Sequence, residues 1–499
     1  MRGALMVCGT ASDVGKSSVV AGLCRALHRR NVRVAPFKAQ NMSLNSVVTA
    51  GGHEIGRAQA MQAAAAGVEA EVAMNPVLLK PSGDTDCQIV VRGRSVGQLS
   101  AAAYHARKPE LFGTVLDALA DLRRRYDVVL LEGAGSPAEI NLLDRDIVNL
   151  PVAVAAGVKA IVIGDIDRGG VFAALYGTVA LLPPDQRACV GGFVINKLRG
   201  DPALLFDGTE QLARTSGVPA FGVLPYLSDI ALDAEDSLAL AGGASRPAVP
   251  GPTVLDVAAV RWPRLANATD LDPLAVQPGV GVRWVDHAAA LGRPDLLVLP
   301  GTKSTIADLA WLRATGLADA IARTDAVVLG ICGGYQALGR TISDPDGVET
   351  TAGTQVAGLG WLDVHTVFGR DKTLRRRHGT GYGVPVSGYE IHHGRTVAAP
   401  SVRPWLVLDG PAGEGAQPSC GPTVFGTNLH GLFEADEFRA AVLTEIARQR
   451  GRSFTPQPMS FAAARENQLD RLGDLVEQHL DMPAICRLIQ EAPIVRTAQ

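Results

Sequence analysis

The sequence predicts two α/β domains in tandem, each built on a parallel sheet that helices cover on both faces. Two observations lead to this prediction. Short apolar runs rich in β-branched residues recur along the chain and end in glycine or polar residues, and stretches with helical spacing separate several of them. Continuous apolar runs are typical of strands buried on both faces, and strands that alternate with helices favour parallel pairing.

The apolar runs form two series that a linker-like stretch separates. The first series spans residues 4–7, 32–37, 128–131, 160–163 and 193–195, with helical stretches at 19–30 and 111–124. The second spans residues 254–260, 282–285, 296–299, 327–329, 362–367, 389–391 and 424–425. The stretch between them concentrates glycine, proline and alanine, as linkers do. We therefore expect one domain at 1–240, a linker at 241–252, a second domain at 253–445 and a helical tail at 446–499.

Length and composition argue against several classes of protein. The chain has 499 residues, 47% of them apolar and 19% charged, which is ample for folded domains. A formal charge of −3 and 5% aromatic residues disfavour a nucleic-acid or anionic-membrane binder. The seven cysteines include no CxxC pair, so neither a disulfide framework nor a structural zinc site is expected. No signal-peptide pattern or membrane-spanning apolar stretch is present, so we expect a cytoplasmic protein.

A phosphate-binding loop is predicted near the N-terminus. The first apolar run leads into Gly9-Thr10-Ala11-Ser12-Asp13-Val14-Gly15-Lys16-Ser17-Ser18, and a helical stretch follows. Glycines let successive backbone N–H groups point inward, and the helix N-terminus adds a positive dipole end. Lys16 would supply a mobile charge to phosphate and Ser17 a hydroxyl to Mg²⁺. The loop has five residues between its glycines instead of the usual four, and we still expect it to bind a nucleotide.

Other strand ends carry polar side chains that suit the same site. Glu132 follows the run 128–131 and would hold Mg²⁺ opposite Ser17, the alternative being a solvated loop glutamate. Lys38 follows the run 32–37 and would reach phosphate. Asn196, followed by Lys197, would read the adenine edge, although such a pair is a weak signal. The carboxylates of Asp165-Ile166-Asp167-Arg168-Gly169-Gly170 would hold metal, position substrate or cap a helix.

A cysteine nucleophile is predicted in the second half. The run that ends at Leu329 leads into Gly330-Ile331-Cys332-Gly333-Gly334, and residues 335–340 have helical character. Small neighbours permit the strained strand-to-helix turn that presents a nucleophile, and a helix N-terminus stabilises a thiolate. Most lone cysteines are inert buried thiols, but the bracketing glycines and the preceding strand favour a catalytic Cys332.

The thiolate needs an imidazole partner, for which His430 is the leading candidate. His430 ends the strand-like run in Phe425-Gly426-Thr427-Asn428-Leu429-His430-Gly431, and His392 and His393 are rivals. The turn Pro300-Gly301-Thr302-Lys303-Ser304 either supplies oxyanion N–H groups or caps the helix that follows.

The two predicted sites together indicate one type of reaction. A cysteine can take the amide of glutamine through a thioester and release ammonia. An ATP site can phosphorylate a carboxylate, so that phosphate becomes the leaving group when ammonia attacks. Neither site requires this pathway alone, but their union in one chain favours an amide-forming ligase.

The motifs of the two halves resemble known families. The stretch from Gly330 to Gly334 with His430 resembles class I glutamine amidotransferase domains, and the extended loop with Lys38 and Glu132 resembles dethiobiotin-synthetase-like ATP domains. The combination is similar to the cobyrinate amidases. Within them, four segments are similar to the cobyric acid synthase family, at residues 36–46, 163–170, 388–392 and 466–472. The likeness covers almost the whole chain.

This resemblance implies ATP- and glutamine-dependent amidation of the b, d, e and g carboxylates of adenosylcobyrinic acid a,c-diamide, which gives adenosylcobyric acid in cobalamin biosynthesis. By family match Cys332 is the nucleophile and His430 its base. The nucleotide would lie on Thr10, Gly15, Lys16, Ser17, Ser18 and Lys38, with Mg²⁺ on Ser17 and Glu132. Partners would be the corrinoid, glutamine and ATP, without nucleic acid or membrane. The oligomeric state stays open, a homo-oligomer included.

One departure from the class I pattern concerns the group that orients the base. Many of these domains place Glu two residues after the catalytic His, whereas this chain has Leu432 there and Glu434 two residues further on. Cobyric acid synthases resemble this chain in that respect. The orienting group is therefore open, and Glu390 is a weak candidate.

Other functions compete with this interpretation. The related a,c-diamide synthases carry Gly-Pro-Asp-Tyr where this chain has Ala39-Gln40-Asn41-Met42, which disfavours them. Amidation of a cell-wall lipid intermediate normally divides the two activities between separate chains. A nucleotide-dependent regulatory protein with a degenerate amidotransferase domain would not need both Cys332 and His430. Arg57, Arg92 and Arg168 are candidate contacts for an anionic substrate, with surface solvation as an equal explanation.

Overall fold

The computed structural model of the protein describes residues 1–83, 86–227, 233, 252–410, 414–417 and 423–493. Two parallel sheets dominate the architecture, one in each half of the chain. The predicted linker at 241–252 lies outside the described residues except for Pro252. The limits of the predicted domains therefore stay predictions.

The described part of the first half contains twelve strands and seven helices. The strands are β1 (Gly3–Gly9), β2 (Val34–Phe37), β3 (Gln40–Met42), β4 (Ser46–Val48), β5 (Glu54–Gly56), β6 (Val77–Pro81), β7 (Asp86–Val91), β8 (Arg94–Ser100), β9 (Val128–Glu132), β10 (Lys159–Asp165), β11 (Val190–Leu198) and β12 (Ala220–Pro225). The helices are α1 (Lys16–Arg29), α2 (Arg57–Ala65), α3 (Ala101–Arg125), α4 (Leu150–Ala156), α5 (Val171–Leu181), α6 (Pro184–Arg187) and α7 (Phe206–Ser216). Six strands pair in parallel in the order β12-β11-β10-β1-β9-β2.

Strand β1 shows why the apolar runs are continuous. Leu5 and Val7 pack into a core shared with α1, whereas Ala4, Met6 and Cys8 pack into a second core shared with α3 on the opposite face. Because successive side chains of a strand point to opposite faces, a strand covered on both faces must be apolar at every position. The predicted α/β class is confirmed.

The sequence analysis predicts no strands between β2 and α3, and the structure contains an antiparallel-rich layer there. Strands β3, β6, β7 and β8 form one sheet, and β4 pairs with β5 in a hairpin. Strand β8 is mostly exposed, which explains why its sequence carries little apolar signal. This layer matters because it carries Lys80 and Gln88 to the second half of the chain.

The described part of the second half contains ten strands and seven helices. The strands are β13 (Leu255–Val260), β14 (Val280–Val285), β15 (Leu296–Leu299), β16 (Val327–Ile331), β17 (Thr341–Asp344), β18 (Thr354–Ala357), β19 (Val364–Gly381), β20 (Val384–Ala398), β21 (Val407–Leu408) and β22 (Val424–Thr427). The helices are α8 (Asp272–Ala275), α9 (Thr305–Ala314), α10 (Leu317–Ala322), α11 (Gly333–Leu338), α12 (Asp436–Arg450), α13 (Phe461–His479) and α14 (Met482–Glu491). Five strands pair in parallel in the order β14-β13-β15-β16-β22. Among the described helices, none is both long enough and apolar enough to cross a bilayer.

A long hairpin of β19 and β20 stands beside this second parallel sheet. The sequence analysis predicts only short strands at 362–367 and 389–391, and this prediction is wrong in extent. The two strands pair antiparallel from Val364 opposite Ala398 to Gly381 opposite Val384. Charged residues occupy much of the middle of β19, so apolar periodicity does not mark its full length.

The last two helices return to the first half of the chain. Leu472 and Val476 of α13 pack with α1 in one core. Ion pairs flank this contact, with Arg25 Nε 2.8 Å from Asp470 Oδ1 and Arg29 Nη1 2.7 Å from Asp474 Oδ1. The predicted tail is thus helical over most of its described length and packs against the phosphate-loop helix.

Candidate active sites

Cys332 lies in a sharp turn between β16 and α11. Its φ of 51° and ψ of −109° place it in a backbone region that side chains rarely adopt. A Cβ at Gly334 would lie 1.8 Å from the carbonyl oxygen of Leu299, so glycine is required there. Helix α11 begins and ends two residues earlier than the predicted helix at 335–340, and it ends at Leu338 because Gly339 is extended. The turn has the shape expected for a nucleophile.

His430 follows β22, the strand next to β16, and contacts Cys332. The backbone joins the two segments, since Cys332 N donates to the Thr427 carbonyl at 2.7 Å. The Nδ1 of His430 lies 2.7 Å from Asp270 Oδ2. The other oxygen, Asp270 Oδ1, accepts from Gly431 N at 2.8 Å. Cys332, His430 and Asp270 thus form a buried thiol–imidazole–carboxylate triad, the order that a nucleophile, its base and an orienting group would take.

The charges around His430 favour its protonated form. Burial alone lowers the pKa of this imidazole, but the Asp270 carboxylate and the Cys332 sulfur outweigh it and raise the pKa to about 10. Since Asp270 engages Nδ1, the Nε2 atom is left to exchange a proton with the thiol. An imidazole held by a carboxylate beside a cysteine is the arrangement that activates the nucleophile of cysteine hydrolases.

The sequence analysis missed Asp270. It lies in a short turn at Ala268–Leu271, beyond the carboxyl end of β13 and 160 positions before His430. The weak candidate Glu390 instead pairs with Arg375 and Arg377. The sequence offered one indication of Asp270, which is its place after a predicted strand. The end of that strand lies at the same sheet edge as the Cys332 turn.

The rival histidines line the same cavity as Cys332 but have other partners. The Nδ1 of His392 lies 2.7 Å from the Gly394 carbonyl, and the Nε2 of His393 lies 2.8 Å from Gln88 Nε2. Burial lowers the pKa of each imidazole to about 4. Both are therefore neutral at ordinary pH, whereas His430 has a carboxylate partner.

The turn that follows β15 approaches the Cys332 turn closely. A Cβ at Gly333 would lie 3.0 Å from the backbone nitrogen of Thr302. The N–H of Lys303 is already used, because it donates to the Arg264 carbonyl at 2.9 Å. The Thr302 hydroxyl accepts from Ser304 N at 3.1 Å near the start of α9. The oxyanion role of this turn stays a prediction.

The phosphate loop connects β1 to α1, as predicted. Gly15 has a φ of 95°, and Lys16 Nζ donates to the carbonyls of Ala11 at 2.8 Å and Gly135 at 3.1 Å. Gly15, Lys16, Ser17 and Ser18 line a large cavity, whereas Thr10 does not line it and donates its backbone N–H to Ile163 O. The helix begins at Lys16, three residues before the predicted start, because the loop residues enter the helix directly.

Glu132 is the centre of a polar cluster beside this loop. Its Oε1 accepts from Ser17 Oγ at 2.8 Å and from Lys38 Nζ at 2.9 Å. Its Oε2 accepts from Gln62 Nε2 at 2.5 Å, a contact that the sequence analysis missed. Lys38 and Glu132 both line the loop cavity. The structure therefore brings the predicted residues Ser17, Lys38 and Glu132 into direct contact.

The polar residues at the end of β11 form hydrogen bonds to the backbone of the phosphate loop. Asn196 Nδ2 donates to the Val14 carbonyl at 2.8 Å, and Lys197 Nζ donates to the Asp13 carbonyl at 2.6 Å. Lys197 also pairs with Asp165 Oδ2 at 2.9 Å. These hydrogen bonds hold the backbone of the phosphate loop at Asp13 and Val14. Contact of Asn196 with adenine stays a prediction.

Helix α2 joins the two sites. Near its C-terminal end Gln62 binds Glu132, and at its first residue Arg57 Nη2 donates to Thr269 Oγ1 at 3.0 Å, beside Asp270. Arg57 is buried and lies 3.4 Å from Glu434 Oε1, so this predicted substrate contact is part of an internal charge cluster. Arg92 and Arg168 are exposed.

The two sites and two parallel sheets define a glutamine amidotransferase joined to a nucleotide-binding domain. Residues 5–239 match the CobQ/CobB/MinD/ParA nucleotide binding domain, and residues 256–438 match the CobB/CobQ-like glutamine amidotransferase domain. The chain is 54% identical over 492 residues to a cobyric acid synthase of Rhodococcus jostii (strain RHA1), across 97% of this chain and 95% of that one. It is 53% identical over 505 residues to a cobyric acid synthase of Streptomyces coelicolor (strain ATCC BAA-471 / A3(2) / M145), across 98% and 97%. The chain belongs to the cobyric acid synthase family.

Proposed function

We propose that the protein amidates the b, d, e and g carboxylates of adenosylcobyrinic acid a,c-diamide, with ATP and glutamine, to give adenosylcobyric acid in cobalamin biosynthesis. The observation that carries this proposal is membership of the family along nearly the whole chain. The Cys332–His430–Asp270 triad and the Lys16–Ser17–Glu132 cluster are the two sites that such a reaction needs.

The triad supplies ammonia. His430 takes the thiol proton, and the Cys332 thiolate attacks the carboxamide carbon of glutamine. His430 then gives the proton to the departing nitrogen, so that ammonia leaves and a thioester remains on Cys332. Water hydrolyses the thioester to glutamate and restores the thiol. Asp270 holds the imidazole in the orientation that both proton transfers require.

The phosphate loop supplies the activated acid. A carboxylate oxygen of the corrinoid attacks the γ-phosphorus of ATP, ADP leaves, and an acyl phosphate forms. Lys16 and Lys38 would hold the phosphate oxygens as negative charge moves onto them. Ammonia then attacks the acyl carbon and phosphate leaves, which completes the amide.

The donor set fits Mg²⁺ bound together with nucleotide. Among the described residues, no group of three or more His, Cys, Asp or Glu side chains could hold a metal ion. The Ser17 hydroxyl and the Glu132 carboxylate lie 2.8 Å apart, and magnesium characteristically uses one or two protein oxygens with phosphates and water. When bound, Mg²⁺ would neutralise charge on the transferred phosphate. Lys38 would then exchange its contact with Glu132 for phosphate.

We propose that ammonia passes between the sites through two adjoining cavities. One is lined by Tyr389 and Gly431, immediately beside His430. It shares Met61 and Asp233 with the cavity of the phosphate loop. The Tyr389 ring stacks on His430 with the ring centres 5.5 Å apart, so we propose that it separates the thiol site from this route.

Mass spectrometry tests the function directly. The purified protein is incubated with ATP, Mg²⁺, glutamine and the a,c-diamide, and we expect stepwise replacement of hydroxyl by amino groups. Reaction with cobyrinic acid itself at its a and c positions would instead indicate the a,c-diamide synthase. A Cys332→Ser control should need an ammonium salt in place of glutamine. Amidation of neither corrinoid would contradict the proposal.

A further inference from the structure

The cavity that contains Cys332 has an unusual charge distribution. It is lined by three lysines, Lys80, Lys303 and Lys372, and by the carboxylate of Glu349. Two of the lysines share a buried partner, since Lys80 Nζ lies 2.7 Å from Glu54 Oε1 and Lys372 Nζ lies 2.5 Å from Glu54 Oε2. Their positive charges are therefore partly neutralised inside the protein.

Lys303 differs from the other two lysines. Its ammonium forms no ion pair or side-chain hydrogen bond with any residue that the structure describes, although it faces the cavity of Cys332. Burial lowers the pKa of Lys303, and the nearby Glu349 carboxylate opposes that effect. Lys303 is half-buried on the cavity wall, and an ammonium that has lost part of its hydration without gaining a close carboxylate favours an anionic ligand.

Glu349 supplies the opposite charge on the same wall. Its Oε2 accepts from Ile306 N at 3.2 Å, which fixes the carboxylate at the start of α9. Burial raises the pKa of Glu349 to about 7, with Lys303 acting against the rise. A cationic ligand group would favour its ionised form at neutral pH.

We propose that Lys303 binds the α-carboxylate of glutamine and that Glu349 binds its α-ammonium, while the side-chain amide lies at Cys332. This assignment rests on the proposed glutamine hydrolysis and extends it to recognition of the amino acid. One uncompensated cation and one anion match a zwitterion, which neither an acid nor an amine alone would match. The first half of the chain completes the wall, because Lys80 lies on β6 and Gln88 on β7.

Truncated substrates test each contact separately. γ-Aminobutyramide lacks the α-carboxylate of glutamine, and glutaramate lacks the α-ammonium. Binding of all three is measured by calorimetry in the full-length Cys332→Ser background, where no thioester forms. With Lys303 and Glu349 intact, each truncated compound should bind about 10- to 100-fold more weakly than glutamine, the range for a hydrogen bond to a charged group.

The variants should produce a crossed pattern. Lys303→Met should abolish the preference for glutamine over γ-aminobutyramide and keep the preference over glutaramate. Glu349→Gln should do the reverse. Lys303→Arg, which keeps the charge, should restore part of the preference over γ-aminobutyramide. Equal loss of both preferences in either variant, or retention of both, would overturn the assignment.

Kinetics in the Cys332-containing enzyme separate recognition from folding and from the overall function. Lys303→Met should raise the KM for glutamine about 10- to 100-fold with a smaller change in kcat, while ammonium-supported synthesis is unchanged. A comparable fall in ammonium-supported synthesis would show general damage and contradict a role in glutamine recognition. If the crossed binding pattern holds but no corrinoid is amidated, the glutamine assignment stands and the proposed function fails.

Discussion

The thiol site and the phosphate site differ in how their polar groups are used. In the thiol site, Asp270 already holds the base His430 in a buried hydrogen bond. In the phosphate site, Lys38 and Ser17 bind Glu132, which is also the predicted metal ligand. The contact between Asp270 and His430 is complete without a ligand, whereas nucleotide and metal would replace some of the contacts around Glu132. We therefore expect the two halves to respond differently to substitution.

The largest effect is expected at the nucleophile. Cys332→Ser should lower glutamine-supported synthesis at least about 10⁴-fold, because loss of a nucleophile removes the covalent pathway. Ammonium-supported synthesis should remain, since the phosphate site is separate. Steady-state rates with each nitrogen source measure both. Retained glutamine-supported synthesis would contradict a catalytic role for this thiol.

Asp270→Asn should lower glutamine hydrolysis about 10³- to 10⁴-fold, because the imidazole loses the carboxylate that fixes its tautomer. The control is again ammonium-supported synthesis, which should persist. Asp272→Asn serves as a matched variant, since Asp272 lies nearby on α8 and contacts Asp233 N instead. Equal loss of hydrolysis in both variants would indicate structural damage.

The same substitution makes a prediction about stability and pH. The pKa of His430 is raised from 6.5 to about 10 in the folded protein. A raised folded-state pKa stabilises the fold fully below about pH 6.5, and this stabilisation is lost as the pH rises through about 10. The difference in thermal stability between the parent protein and Asp270→Asn should therefore shrink as the pH rises from 6.5 to 10. A difference that grows over this interval would contradict a protonated His430.

Substitution of the loop lysine should have the opposite effect to substitution at the thiol site, because it should affect synthesis with either nitrogen source. Lys16→Met should lower synthesis about 10²- to 10³-fold with either glutamine or ammonium, because the charge that stabilises the transferred phosphate is removed. Hydrolysis of glutamine in the absence of corrinoid should persist. If the variant lost only glutamine-supported synthesis and kept ammonium-supported synthesis, Lys16 would act in glutamine hydrolysis and the prediction would be contradicted.

Motifs formed by neighbouring residues could be predicted well from the sequence. The phosphate loop is encoded in ten neighbouring residues and the Cys332 turn in five, and glycine is needed in both for local reasons of space and backbone angle. Both parallel sheets were also predictable, because strands buried on both faces leave uninterrupted apolar runs.

Contacts that depend on tertiary placement were not predictable in the same way. Asp270 and His430 lie 160 positions apart, and no local motif joins them. The hairpin of β19 and β20 is stabilised by pairing along its length, so its charged middle resembles a loop in the sequence. Gln62 lies on a helix whose role depends on where Glu132 falls in the fold.

The smallest effect is expected at Gln62, which touches the phosphate site through Glu132. Its amide donates to Glu132 Oε2, the oxygen opposite the one that Ser17 and Lys38 use. Gln62→Leu should raise the Mg²⁺ concentration needed for half-maximal synthesis about 10- to 100-fold, because groups that orient metal ligands typically contribute that much. The thiol site should be unaffected, and glutamine hydrolysis without corrinoid measures this.

Gln59→Leu provides a matched variant on the same helix. Gln59 is also buried, but its Oε1 accepts from Asn41 Nδ2 at 3.0 Å, away from Glu132. Titrations of synthesis with Mg²⁺ at saturating ATP should separate the two variants. An equal shift in both would show that α2 as a whole is disturbed, whereas a shift in Gln62→Leu alone would place the metal on the Glu132 side of the phosphate loop. Because the thiol triad has no such exchangeable contacts, its hydrolysis rate should be independent of Mg²⁺ in every variant.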